Sequence, residues 1–230
     1  MASTASLTRH DFRLVTPLTY GVFGSTMSGK STHITKVIDK RDSVFTKPIG
    51  QIYYFFKTWQ SAFEVLERKH NVRFIQGIVT KEWLDTEIGL PPSDGRREVP
   101  LIVVDDAGSD LDAGQVDMTT VHVHHYELVL VYLLHLLFSP PPHLRAMSLN
   151  MSYITVMKNP RNMATIHHLG RQLDPGRHNG RFVKIYKEAT KRPWSYLFID
   201  NTQFGHDDMR LRSNILFERD EPMVIYKRTV

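Results

Sequence analysis

The sequence places four residues between Gly24 and Gly29, with Lys30 and Ser31 following at once, in the pattern G-x-x-x-x-G-K-[ST]. Glycines let the chain curl so that successive backbone N–H groups face one concavity, which attracts anionic oxygens. Lys30 can reach the β- and γ-phosphates of a nucleotide, and the Ser31 hydroxyl suits a position on Mg²⁺. The nucleotide-binding stretch is therefore Gly24, Ser25, Thr26, Met27, Ser28, Gly29, Lys30, Ser31 and Thr32. Further along, the apolar run LIVV ends in Asp105 and Asp106. Asp105 is placed to hold Mg²⁺, directly or through water, and Asp106 to polarise an attacking water. The plainer alternatives are an ordinary strand–helix turn at the glycines and a turn or helix-capping acid at Asp106. The two motifs together point to nucleoside-triphosphate hydrolysis rather than nucleotide storage.

Such a loop has to lie between a strand and a helix. A β-rich run over 18–24 precedes it, and a helical pattern over 29–40 follows. Further strands are expected over 51–56, 72–78, 101–106, 127–135, 151–159 and a final one over 194–201. Helices are expected over 58–69, with Thr58 as its cap, and over 80–88, 162–173 and 180–191. The apolar run from Leu128 to Phe138 reads as a buried strand entering a short helix, broken by the prolines that follow. The tail beyond residue 210 has no clear pattern. Apolar runs without alternation are buried on both faces, so the fold class is α/β, with a mainly parallel central sheet and helices on both faces.

The bulk numbers agree with one globular unit: 230 residues, 41% hydrophobic and 23% charged. Residues 1–17 read as an N-terminal extension and 18–230 as a single domain. A net charge of +5 permits an acidic partner without requiring one. There is no cysteine, which excludes a disulfide framework and a thiolate metal site. No secretory apolar stretch opens the chain, and the longest apolar run is shorter than the ~20 residues of a membrane helix. The expectation is a soluble, intracellular protein with no membrane partner.

The stretches VHVHHYELVLVYLLHLLF, RAMSLNMSYITVMKNPRNMATIHHLGRQLDP, YKEATKRPWSYLFIDN and DDMRLRSNILF, in that order, resemble the viral DNA-packaging ATPases of the FtsK/HerA superfamily. These are found in poxviruses, adintoviruses and Maverick/Polinton elements. With the two nucleotide motifs the resemblance runs from Leu18 to the C-terminus. It implies a RecA-like P-loop NTPase of the type with an extra strand between the loop strand and the acidic strand. It also implies ATP and Mg²⁺ as cofactors and double-stranded DNA as a partner bound without sequence reading. A homo-oligomeric ring and a capsid or portal component complete the implied assembly, in the cytoplasm or nucleus of an infected cell or in the virion.

At the end of the extra strand the family usually has a glutamine that reads the γ-phosphate; His135 stands there, either as a sensor that can still donate a hydrogen bond or as a satisfied histidine at a strand end. Asp106 is a second departure, because many motors of the superfamily have the longer glutamate. For the arginine that such rings supply from a neighbouring subunit, the resemblance offers Arg145, Arg161 and Arg171, with Arg161 and Arg171 in the most family-like motifs. Asn150 also matches a family position, either orienting a loop near the nucleotide or bonding backbone.

Between His143 and Pro193, ten lysines and arginines stand against only Asp174 and Glu188. This segregated charge suits phosphate-backbone contact, with 174–181 as a channel-lining loop, or else forms a solvated basic face. His122, His124 and His125 lack the convergence of a zinc site, because strand alternation sends His124 and His125 to opposite faces. His167 and His168 carry the same discount. Two other functions fit the motifs: a P-loop kinase of a nucleoside or other small molecule, and a catalytically impaired nucleotide-binding relative.

Overall fold

In the computed structural model, residues 11–61, 63–105, 111–137, 142–173, 180–217 and 221–227 are described. β1 (Leu18–Phe23) runs through the loop into α1 (Lys30–Asp39), then α2 (Arg41–Val44), β2 (Ile49–Phe56), α3 (Phe63–His70) and β3 (Arg73–Gln76). α4 (Lys81–Trp83) widens into a π-turn, Leu84–Ile88, before β4 (Val99–Asp105). α5 (Ala113–Asp117) and α6 (Val123–His125) are joined by a second π-turn, Met118–His122, and lead to β5 (Val129–Leu134). The chain closes with α7 (Pro142–Asn150), β6 (Tyr153–Met157), α8 (Met163–Leu173), α9 (Gly180–Ala189), β7 (Tyr196–Asp200), β8 (Leu211–Ser213) and β9 (Val224–Ile225).

The nine strands of the described residues form one sheet in the order β3-β2-β4-β5-β1-β6-β7-β8-β9. From β3 to β6 every pairing is parallel, and from β6 to β9 every pairing is antiparallel. β5 thus lies between the loop strand β1 and the acidic strand β4, as the resemblance implies.

Strand side chains alternate between two apolar layers. Tyr53, Phe55, Ile102, Val104, Leu130 and Tyr132 join one layer, with Met147, Ile166, Leu169, Phe182 and Tyr186 from α7, α8 and α9. Tyr20, Val22, Tyr54, Val103, Val131 and Leu133 join the other, with Ile34, Val37 and Ile38 of α1 and Phe63 and Leu66 of α3. Helices cover both faces of the sheet. Full burial of each large aliphatic on α1 contributes about 2 kcal/mol, which holds the loop helix against the sheet.

Four sequence expectations are corrected. The third helix begins at Phe63, not at Thr58, because Trp59 is drawn off to rings of Phe56, Phe63 and Phe74. The histidines at 122–125 lie on a helix rather than a strand. The run after β5 does not turn helical through Leu137; the next helix, α7, starts at Pro142, the last of the three prolines. β7 is not the last strand, since the tail adds β8 and β9, of three and two residues, too short to show a pattern.

Candidate functional site

Parallel strands bring their carboxyl ends to one edge, and the register sets what stands there. Phe23 pairs with Leu134 on one side and Val156 on the other, and Asp105 pairs with Leu133. Gly24, His135 and Asp105 therefore end adjacent strands at a single edge. β7 is antiparallel, so its first residue, Tyr196, pairs with Met157 and opens at that same edge.

The loop needs its glycines for different reasons. A Cβ on Gly24 would sit 2.3 Å from Ser28 Oγ and 2.7 Å from Met157 Cβ, a clash with no room to relax. Gly29 has φ +101°, in the left-handed region, and a Cβ there would stand 3.1 Å from the Trp194 ring. The Ser28 N–H donates to Ser25 O at 3.2 Å, closing a turn whose tip, Thr26 and Met27, points into solvent. Ser28 Oγ is buried without a hydrogen-bond partner among the described residues. An orphaned hydroxyl inside a glycine loop fits an anionic oxygen.

Lys30 is buried at the start of α1 and turns its ammonium onto the loop, donating to Gly24 O at 2.8 Å and Ser25 O at 3.2 Å. Its Nζ also stands 3.3 Å from His135 Nδ1. An ammonium can only donate, so Nδ1 is the acceptor. The residue at the end of the inserted strand therefore touches the loop lysine directly.

Asp105 and Tyr54 point to the same face as α1, which follows from alternation along β4 and β2. The Tyr54 hydroxyl donates to Asp105 Oδ2 at 2.7 Å, buried. Burial pushes the Tyr54 phenol well above its ordinary pKa, and the Asp105 carboxylate beside it pushes further, so the hydroxyl stays a donor. The Ser31 hydroxyl bonds the same phenol and pulls weakly the other way. One tyrosine oxygen thus gathers Ser31 and Asp105. A hydroxyl and a carboxylate side by side are a hard oxygen donor set, which fits Mg²⁺.

No family model and no curated protein sequence matches the chain. Solved structures do match. B204, the DNA-packaging ATPase of Sulfolobus turreted icosahedral virus, superimposes with a TM-score of 0.52 at 10% identity, over 93% of this chain and 98% of that one. The genome-packaging NTPase B204 of Sulfolobus turreted icosahedral virus 2 in complex with AMPPCP gives 0.51 at 12% identity, over 92% and 98%. The same protein in complex with ATP-gammaS gives 0.50 at 12% identity, over 93% and 98%. The chain has the fold of the packaging NTPases. The RecA-like P-loop class expected from the sequence is the fold observed.

The remaining candidates are scattered. Asp106 and residues 174–179 lie outside the described residues. Arg161 is exposed in the turn after β6, where its N–H donates to Asn159 Oδ1 at 3.3 Å. Asn159 and Asn162 of that turn line a small cavity together with Gly24 and His135, so Arg161 belongs to the loop edge. Arg171 is exposed on the third turn of α8, about 12 Å along the helix from its first residue. Arg145 is exposed on α7. Asn150 sits at the opposite edge of the sheet, its carbonyl accepting from Thr19 Oγ1 and its amide donating to Ala146 O. That excludes an orienting role near the loop. Among the described residues no group of three histidines or acids is arranged to hold a metal ion, and no helix is long and apolar enough to cross a membrane.

Tyr54 escaped the sequence reading. Tyr54 has the parity of Asp105 two strand positions back, but that matters only once β2 and β4 are known to be neighbours.

Proposed function

We propose that the chain is an ATP-hydrolysing motor that moves double-stranded DNA into a preformed capsid. One observation carries this reading: Lys30, Ser31, Asp105 and His135 meet at one sheet edge, on a fold shared over nearly its whole length with packaging NTPases. In this reading the loop N–H groups and Lys30 hold the phosphates of ATP. Ser31 and Asp105 hold Mg²⁺, which, when bound, neutralises charge on the reacting phosphoryl group. Tyr54 fixes the Asp105 carboxylate, His135 fixes the lysine, and Asp106 orients the water.

The chain acts as a homo-oligomeric ring in which Arg161 or Arg171 reaches a neighbour's nucleotide, with a capsid or portal component as docking partner. The basic residues between His143 and Pro193 meet the DNA backbone without reading sequence. Exposed Lys184, Lys187 and Lys191 on and just after α9 support a phosphate-facing surface. Its place of work is an infected cell.

ATP turnover with and without double-stranded DNA tests the reading. Stimulation by DNA, lost in Lys30→Ala, is the expected result. Consumption that depends on a small acceptor instead would assign a kinase, and no turnover at all would assign a non-catalytic nucleotide binder.

A further inference from the structure

Beside the loop, on the side away from Asp105, lies a cavity of about 440 Å³, large enough for a small-molecule ligand. Thr32 and Lys36 of α1 form one wall, and Trp194, Tyr196 and Asn214 contribute to the rest. Thr32 belongs both to the nucleotide-binding stretch and to this cavity, so the two are continuous.

Trp194 is unusual in three respects. It is 65% exposed, although tryptophan is normally well covered. Its backbone has φ +60°, a conformation a bulky residue seldom adopts. Its ring stands against Gly29, where even a Cβ would come within 3.1 Å. A strained, solvent-facing indole set against the phosphate loop has the features of a stacking platform.

The sheet supplies a direction. β5 and β4, with His135 and Asp105, lie to one side of β1; β6 and β7, with the Trp194 cavity just ahead of Tyr196, lie to the other. A nucleotide on the loop that turns its terminal phosphates toward Asp105 must turn its nucleoside toward Trp194. We infer that this cavity is the nucleoside subsite, with the nucleobase stacked on the Trp194 indole. The inference rests on the proposed nucleotide-binding role of the loop.

Calorimetric titration with Mg-ATP and with inorganic Mg-tripolyphosphate separates the two. The intact protein should bind ATP more tightly than tripolyphosphate. Trp194→Ala should weaken ATP by about tenfold or more while leaving tripolyphosphate within about twofold, and Trp194→Phe should restore part of the loss. Retained tripolyphosphate binding shows that the variant is folded. ATP should also quench the fluorescence of the three-tryptophan protein, and that quenching should disappear in Trp194→Phe. Unchanged ATP affinity in Trp194→Ala overturns the subsite and leaves the loop's role intact. An equal loss for both ligands also overturns it, because Trp194 would then act only by supporting Gly29. Binding of neither ligand by the intact protein brings down the loop reading and the subsite together.

Discussion

On the β4–β5 flank of the loop, Tyr54 hydrogen-bonds both Asp105 and Ser31, while Lys30 bonds the Gly24 carbonyl and His135. On the β6–β7 flank, Trp194 stands open beside a cavity. The first flank controls charge: its groups are few, its Lys30 and Asp105 are buried, and Tyr54 orients Ser31 and Asp105. The second offers surface and shape, with an aromatic face that tolerates any base. A phosphate-transferring site needs fixed charges where charge develops and only a snug wall elsewhere, and the loop divides the two tasks. If this division is real, substitutions on the first flank should change turnover and metal dependence, and those on the second should change nucleotide affinity or the seating of the loop.

The largest effect is expected at Asp105. Asp105→Asn keeps the shape and the Tyr54 hydrogen bond but removes the charge that a cation needs. ATP turnover should fall roughly 10³-fold, corresponding to the several kcal/mol that a bound metal supplies. Tripolyphosphate binding in the absence of Mg²⁺ should be unchanged, since Lys30 and the loop remain. Turnover within tenfold of the parent protein would show that the acidic flank is not the working one.

The two flanks also differ in how far the sequence reveals them. The Gly24–Ser31 pattern and the LIVVDD run announce themselves because each is local: a turn chemistry in one case, a double-buried strand ending in acid in the other. The parallel half of the sheet is legible for the same reason, since continuous apolar runs such as that of β5 suit a strand covered on both faces. Tyr54 is invisible to that reasoning, because its role depends on β2 lying beside β4, a non-local fact. Trp194 is hidden for a different reason: nothing in RPWSY says that a left-handed turn will set the indole on Gly29. β8 and β9, the last two strands of the sheet, are only three and two residues long, so neither offers enough positions for a strand pattern to show. The helices α5 and α7 carry few local markers and are equally hard to read from sequence.

A smaller effect should follow Tyr54→Phe. The phenol donates to the Asp105 carboxylate and receives from Ser31, so it positions both groups without touching a phosphate. Loss of an orienting partner of this kind typically costs 10–100-fold in metal affinity. The Mg²⁺ concentration for half-maximal turnover should rise by that factor while tripolyphosphate binding without metal stays constant. A lower Mg²⁺ requirement would reverse the assignment, with Tyr54 competing for the carboxylate rather than presenting it.

The smallest effect concerns the seat of the aromatic flank. His33 of α1 is fully buried, its Nε2 2.7 Å from the Tyr20 hydroxyl, which lies 2.6 Å from Thr155 Oγ1. Its ring meets Tyr196 edge-on at 4.5 Å, directly below the Trp194 turn. Burial, aided by the charge of Lys36, pushes the His33 pKa down from 6.5 to about 3. Between those values the unfolded chain binds a proton that the folded chain refuses, so stability rises with pH across this window and is lost as pH falls below 6.5. The slope from this one residue is at most about 1.4 kcal/mol per pH unit. His33→Gln keeps a hydrogen-bonding group toward Tyr20 and removes the titration. In urea denaturation, the stability lost between pH 6.5 and 5.5 should shrink by up to that amount relative to the parent, with metal dependence of turnover unaffected. An unchanged pH slope would mean that His33 accepts the proton in place, and that α1 and β7 loosen at this contact without unfolding.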